Sequence, residues 1–174
     1  MMREFLIHAR QRWYLYLPLS LIWSMAAVRV FVDPVPYLPV LFNVTPSLPF
    51  TVAIVERRQG GIARGDYVIY AFHGDATRYF PGLASQPFFK RVAGVAGDRV
   101  QVEGRRVLVN GLEMGVAKRF AAATKLPLEP IEPRTIPPQF VYMQGTSPDS
   151  FDSRYRLSGL VHVGDVIAVV RPLF

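Results

Sequence analysis

One lysine, Lys90, stands in an apolar run, Phe88-Phe89-Lys90-Arg91-Val92. In a strand, side chains alternate, so Phe88, Lys90 and Val92 share one face while Phe89 and Arg91 share the other. Lys90 then points where water is scarce. Burial disfavours the ammonium form and moves a lysine toward the neutral amine, which can take a proton from a serine hydroxyl. The ordinary alternative is a half-exposed lysine whose stem covers apolar surface. Ser47 offers a hydroxyl in Asn43-Val44-Thr45-Pro46-Ser47-Leu48-Pro49, where the flanking prolines keep it out of a helix and present it on a stiff loop. A third cluster is Ser150-Phe151-Asp152-Ser153-Arg154-Tyr155. In an extended chain Ser150, Asp152 and Arg154 face the same way, so the carboxylate pairs with the guanidinium beside a hydroxyl that can steady a lysine amine. Its plain counterpart is a polar turn with a surface ion pair.

Other chemistries are poorly supplied. Cysteine is absent, which excludes thiol catalysis and a Cys/His zinc site. The histidines are His8, His73 and His162, and a three-histidine site needs His8, which precedes the apolar N-terminal stretch. No metal and no cofactor are expected. The net charge of +7 comes mainly from arginine, since Lys90, Lys118 and Lys125 are the sole lysines. The arginines are scattered without a recognisable nucleic-acid-binding motif, so anionic lipid headgroups are the simpler partner and no nucleic acid is expected.

The elements that must position these residues follow from patterning. Residues 13–32 carry a single charge, Arg29, near the far end, and a helix of that length spans about 30 Å. A transmembrane helix is expected there. Arg3, Arg10 and Arg12 precede it and Asp33 follows, so the positive-inside rule puts residues 1–12 in the cytoplasm and the remainder outside. Arg29 can snorkel to the outer headgroups. A cleavable signal peptide competes, because Ser24-Met25-Ala26 resembles a small-x-small cleavage site. Pro34, Pro36 and Pro39 mark residues 33–42 as an extended juxtamembrane linker. Residues 43–174 then form one domain, large enough for a real core. Its segments 52–56, 66–72, 88–95, 99–103, 105–109, 140–144 and 165–170 are rich in β-branched and aromatic residues, and Asn110-Gly111 and Glu103-Gly104 signal hairpins. The expectation is a mainly β, antiparallel domain. Two long stretches interrupt it, a loop at 73–87 and a Pro-rich insertion at 114–138, each long enough for a lid or partner surface.

In this order behind one anchor, the segments resemble the type I signal peptidase family of serine/lysine proteases. Ser47 matches the nucleophile, Gly65-Asp66-Tyr67-Val68 the Gly-Asp-x-Val strand, Lys90 to Asp98 the lysine box, and Ser150 to Arg154 the Ser-x-Asp-Ser-Arg box. Asn43-x-Thr45-x-Ser47-Leu48-Pro49 replaces the usual Ser-Met-x-Pro-Thr and looks like the TraF-type peptidases of conjugative transfer systems. Gly145-Thr146-Ser147-Pro148 stands where Gly-Asp-Asn-Arg is usual.

The resemblance implies a signal-peptidase-like catalytic domain on the periplasmic side of a bacterial inner membrane. It implies acyl transfer from Ser47 with Lys90 as base, and an oxyanion hole from the Ser47 backbone N–H and the Thr45 hydroxyl. Ser150, Asp152 and Arg154 would support the lysine. The implied substrate is a membrane-bound, pilin-like precursor, bound as an added β-strand, with ring closure of the product in some members. Four other readings compete: a general signal peptidase removing leader peptides, a serine/histidine hydrolase using His73 or His162, a LexA-like self-cleaving repressor, and a non-catalytic membrane-tethered β-scaffold of a secretion system. The repressor would carry a DNA-binding helix-turn-helix where this chain has its apolar stretch. Substrate identity and oligomeric state are not readable from the residues.

Overall fold

Alternation of buried and exposed residues along short β-branched runs gives the chain its strands, all paired antiparallel. A computed structural model describes residues 10–31, 40–42, 47–56, 60–121 and 124–173. Thr45 and Asn43, expected near the nucleophile, lie outside the described residues. The chain divides into two units, 1–38 and 39–174.

In the first unit a helix, α1, runs Trp13–Phe31 with Pro18 inside it. Among the described residues no helix is long and apolar enough to cross a membrane. The expected span at 13–32 is therefore not shown by this helix. Tyr14, Tyr16, Pro18, Ser20 and Ser24 dilute the apolar run, and Ser20 turns its hydroxyl back onto the Leu17 carbonyl at 3.0 Å.

The second unit holds β1 (Val40–Phe42), β2 (Val52–Glu56), β3 (Tyr67–Ala71), β4 (Pro87–Gly94), β5 (Arg99–Glu103), β6 (Arg106–Val109), β7 (Leu112–Val116), β8 (Arg134–Thr135), β9 (Phe140–Gln144), β10 (Val161–His162) and β11 (Val166–Pro172). They form a seven-stranded sheet, β1-β2-β11-β3-β4-β9-β10, and a four-stranded one, β7-β6-β5-β8. The expected antiparallel β-domain is present. Asn110 and Gly111 both take positive φ, as a two-residue hairpin turn requires, and join β6 to β7.

Strand β4 has the alternation its sequence predicts. Val92 and Lys90 are buried and Arg91 is exposed. The Lys90 face joins Val68, Tyr70, Phe72, Val141 and Met143 in one core cluster, with the Phe88 ring stacked on Phe72 at 4.5 Å. The other face packs Phe89, Tyr67 and Ile69 against Leu48 and Phe50. Edge-on contacts of Phe50 with Tyr67 at 5.1 Å and Phe89 at 5.2 Å therefore fasten the chain just beyond Ser47 to the sheet that carries Lys90.

Both interrupting stretches are more structured than free loops. The 73–87 loop contains 3-10 turns at Asp75–Arg78 and Pro81–Leu83. The 114–138 insertion completes β7, supplies β8, and is tied to the Ser150 segment by Ile131 N–H to the Arg154 carbonyl at 2.8 Å and Arg156 N–H to the Glu129 carbonyl at 2.9 Å.

Candidate active site

Lys90 is 4% exposed in the middle of β4. Its strand is held in place by backbone pairs, Gly65 N–H to the Val92 carbonyl and Val92 N–H to the Asp66 carbonyl, each at 2.8 Å. Burial pulls the Lys90 pKa down to about 8; the Asp152 carboxylate pulls it up and the Arg154 guanidinium pushes it down again. The ammonium's near neighbour on its own face is the Phe88 ring, 5.7 Å from Nζ to the centroid. An amine in this setting is a usable base near neutral pH.

Ser47 sits half-buried in a turn, with Leu48 sunk into the core beside it. Its carbonyl accepts from Thr146 N–H at 2.9 Å and from the Thr146 hydroxyl at 3.3 Å. This dock depends on Gly145. A Cβ there would lie 2.6 Å from Ser150 Cβ, collide with Ser150 Oγ, and stand 3.0 Å from the Ser47 carbonyl. Ser47, Gly145 and Ser150 are thus packed together with no room for a side chain between them. Gly145 and Thr146 were missed as site residues in the sequence; the available signal was their place immediately before the Ser150 segment.

The Ser150–Arg154 segment is a series of turns rather than the extended strand expected. The ion pair nonetheless forms, and it is buried. Asp152 is 0% exposed and takes Arg154 Nε at 2.8 Å on one oxygen and Nη2 at 2.9 Å on the other. Gly145 N–H and Arg154 N–H complete the carboxylate's shell at 2.9 and 3.1 Å. Arg154 also donates to the carbonyls of Ser147 and Ser150, both at 3.1 Å. Burial works against the guanidinium's charge, but the Asp152 carboxylate outweighs it and holds the Arg154 pKa above its usual value. The surface-bridge alternative is therefore overturned. Asp152 ties the turn to Gly145, and Gly145 ties it to Ser47. Ser150 Oγ is buried and has no hydrogen-bond partner among the described residues, as are the hydroxyls of Tyr70 and Tyr142. Burial first, and then the Asp152 charge, push both phenols up, so they stay protonated as donors.

The histidines stand elsewhere. His73 has Nδ1 at 3.0 Å from Asp165 and Nε2 at 3.3 Å from Ser85 Oγ, so a serine, a histidine and an aspartate do line up on the surface. Next to that serine the backbone donors are consumed: Ser85 N–H binds the Phe72 carbonyl at 2.9 Å and Gln86 N–H the Leu83 carbonyl at 3.1 Å. An oxyanion forming there would find neither of them free. The line fastens the 73–87 loop to the start of β11. His162 accepts from Gly164 N–H at 3.0 Å and meets Gln139 at 3.1 Å, with no serine.

The conjugal transfer protein TraF of Agrobacterium fabrum is 26% identical over 145 residues, which cover 76% of this chain and 80% of that protein. A crystal structure of a signal peptidase I from Enterococcus faecalis V583 aligns with 66% of this chain and 100% of its own, at 20% identity and a TM-score of 0.39. The family described as signal peptidase, peptidase S26, matches residues 10–174, nearly the whole length, and the chain belongs to that family.

Proposed function

We propose that this protein is a membrane-anchored endopeptidase in which Ser47 is the nucleophile and Lys90 the general base. Neutral Lys90 takes the Ser47 proton as the hydroxyl attacks a substrate carbonyl; the acyl-enzyme forms and the protonated lysine returns its proton to the departing amine. The Ser47 N–H and the Thr45 hydroxyl serve the oxyanion. Asp152 with Arg154 fixes the turn that carries Ser150, whose buried Oγ has no partner among the described residues and is the hydroxyl left to take the lysine amine. The single observation that carries this reading is the burial of Lys90, with its pKa lowered to about 8, in the electrostatic reach of the turn packed against Ser47 through Gly145.

The anchor is the segment around α1, oriented with residues 1–12 in the cytoplasm and the catalytic unit in the periplasm. Ser47 follows it by about 15 residues in sequence, short enough to hold the site near a membrane-bound substrate and raise its effective concentration. Family membership implies a protein substrate, and the likeness to TraF supports an exported pilin-like precursor of a conjugative system.

The test is co-expression with the candidate pilin precursor and intact-mass analysis of the product. Loss of the leader alone is hydrolysis; a further deficit of one water, about 18 Da, is ring closure. An unprocessed precursor, or processing that survives Ser47→Ala, overturns the reading in favour of a scaffold. Processing of unrelated leaders at equal rates favours a general signal peptidase.

A further inference from the structure

We propose that a groove between β7 and the 145–148 loop binds the part of the substrate on the leaving-amine side of the scissile bond. The same groove then holds the amine that attacks the acyl-enzyme. This rests on the Ser47 and Lys90 reading above and adds to it the element that decides between water and an amine as acceptor.

The groove has a volume of about 420 Å³, with Met114, Val116 and Pro148 as apolar walls and Lys118, Gln144 and Thr146 among its polar ones. It is continuous with the site, because Gly145 and Thr146 line it and Thr146 is the residue that holds the Ser47 carbonyl. Its back is fixed by Gln144, whose side chain donates to the Met114 carbonyl at 2.9 Å. Strand β7 is the outer strand of its sheet among the described residues, and apart from the Met114 carbonyl, which Gln144 holds, its outer edge can take an added segment. Val116 at that edge is 54% exposed, an apolar side chain only partly covered by the described residues.

Charge defines the occupant. Lys118 is already matched by Asp149, and Arg154 by Asp152. The groove therefore suits an extended, uncharged segment with apolar side chains, not an acidic peptide.

The other half of the substrate has a different place to lie. Strand β9 pairs with β4 from Arg91 to Gly94 alone, which leaves Pro87 to Lys90 with an edge on that side unpaired among the described residues, ending at the base. The acyl half adds to that edge. The departing half leaves along the β7 groove, and by microscopic reversibility an incoming amine arrives the same way.

In the second step the amine nitrogen bonds to the acyl carbon, the ester bond to Ser47 Oγ breaks, and the amine proton passes through Lys90 to Ser47 Oγ. An amide and a free serine hydroxyl result, with no water consumed. Hydrolysis differs only in that water replaces the amine. A filled groove raises the acceptor's effective concentration over that of water.

The test uses the full chain in detergent with a p-nitrophenyl ester of a small-residue peptide as acyl donor. Release of p-nitrophenol reads acylation, and mass spectrometry reads the ratio of amide to acid formed from the same acyl-enzyme. Acceptors are an apolar tetrapeptide amide and glycinamide. Amide formation is expected to saturate with the tetrapeptide and to stay linear with glycinamide. Val116→Asp and Met114→Asp are expected to raise the half-saturating tetrapeptide concentration by about tenfold or more, since each puts a charge against the apolar segment. Equal half-saturation in the variants, or a linear response to the tetrapeptide, overturns the groove assignment while leaving Ser47 in place. Failure of Ser47→Ala to abolish p-nitrophenol release overturns the Ser47 reading and the groove with it.

Discussion

Two regions of this protein hold a serine and a basic side chain, and they are built in opposite ways. On the surface, His73 lies between Asp165 and Ser85 at ordinary hydrogen-bond lengths. In the interior, Lys90 is almost fully buried, near an Asp152–Arg154 pair whose turn packs through Gly145 onto Ser47. The surface line has the more familiar residues, but water surrounds it and its neighbouring backbone donors are already bonded. The interior set has a lysine whose pKa is lowered to about 8 by desolvation, the base of the proposed mechanism. Alignment of side chains is common; a lysine whose pKa is shifted by burial is the rarer signal of a functional site.

The largest effect expected follows from that contrast. Ser47→Ala and Lys90→Arg should each lower precursor processing about 10⁴-fold or more, because nucleophile and base act together and a guanidinium keeps its proton. Ser85→Ala and His73→Ala should leave it within about twofold. Processing assays on the four variants decide the matter, and a reversed pattern moves the site to the surface.

The two aspartates sharpen it further. Asp152→Asn leaves Arg154 buried with its charge uncompensated and should cost about 3–5 kcal/mol in urea unfolding, with activity lost. Asp165→Asn, at a partly exposed bridge, should cost under about 1 kcal/mol. Equal costs would mean that the buried pair is no more than a surface bridge.

Gly145→Ala adds one methyl between Ser150 and Ser47. It should lower the rate by about 10²-fold through displacement of the serine, with a smaller loss of stability. Gly82→Ala, where a Cβ meets nothing within 4 Å, is the control and should be silent. Activity close to normal in Gly145→Ala would show that the contact does not position Ser47.

The smallest effect has the opposite sign. Lys90 has its folded pKa lowered from 10.5 to about 8, so the unfolded chain binds more protons between those values and stability rises with pH across that window. Below about pH 8 the full penalty of a buried ammonium is present. Lys90→Met should therefore be inactive yet more stable at pH 7, by on the order of 1–3 kcal/mol, with the gain fading toward pH 10.5. Urea midpoints at pH 7 and 10 measure it.

Much of this was legible in the sequence where one periodicity governed a whole segment. Strands β2, β5 and β9 lie where alternation put them, and the burial of Lys90 followed from the face it shares with Phe88 and Val92. Strands β1, β8 and β10 were not seen because runs of two or three residues, such as Arg134-Thr135, are too short to carry a period, and β7 was not because its five residues show no alternation of buried and exposed positions. Pairing of Asp152 with Arg154 was expected from an extended chain and is achieved by a turn, since two residues of separation suits either geometry when the guanidinium can curl back. Gly145 stood out in the sequence only by its place before the Ser150 segment, because its importance is a close approach between Ser47 and Ser150, about a hundred residues apart in sequence. The surface line of Ser85, His73 and Asp165 is likewise a product of sheet order, which sets β11 beside β3.

The central claim is that a buried lysine, not a histidine, activates Ser47, and its most direct test is the pH dependence of Ser47 acylation in the free enzyme. The rate constant for acylation by a peptide p-nitrophenyl ester should rise with pH through a single transition near 8, where Lys90 loses its proton, and the transition should persist in His73→Ala. A transition that disappears in His73→Ala, or a flat profile from about pH 6 to 10, contradicts the account.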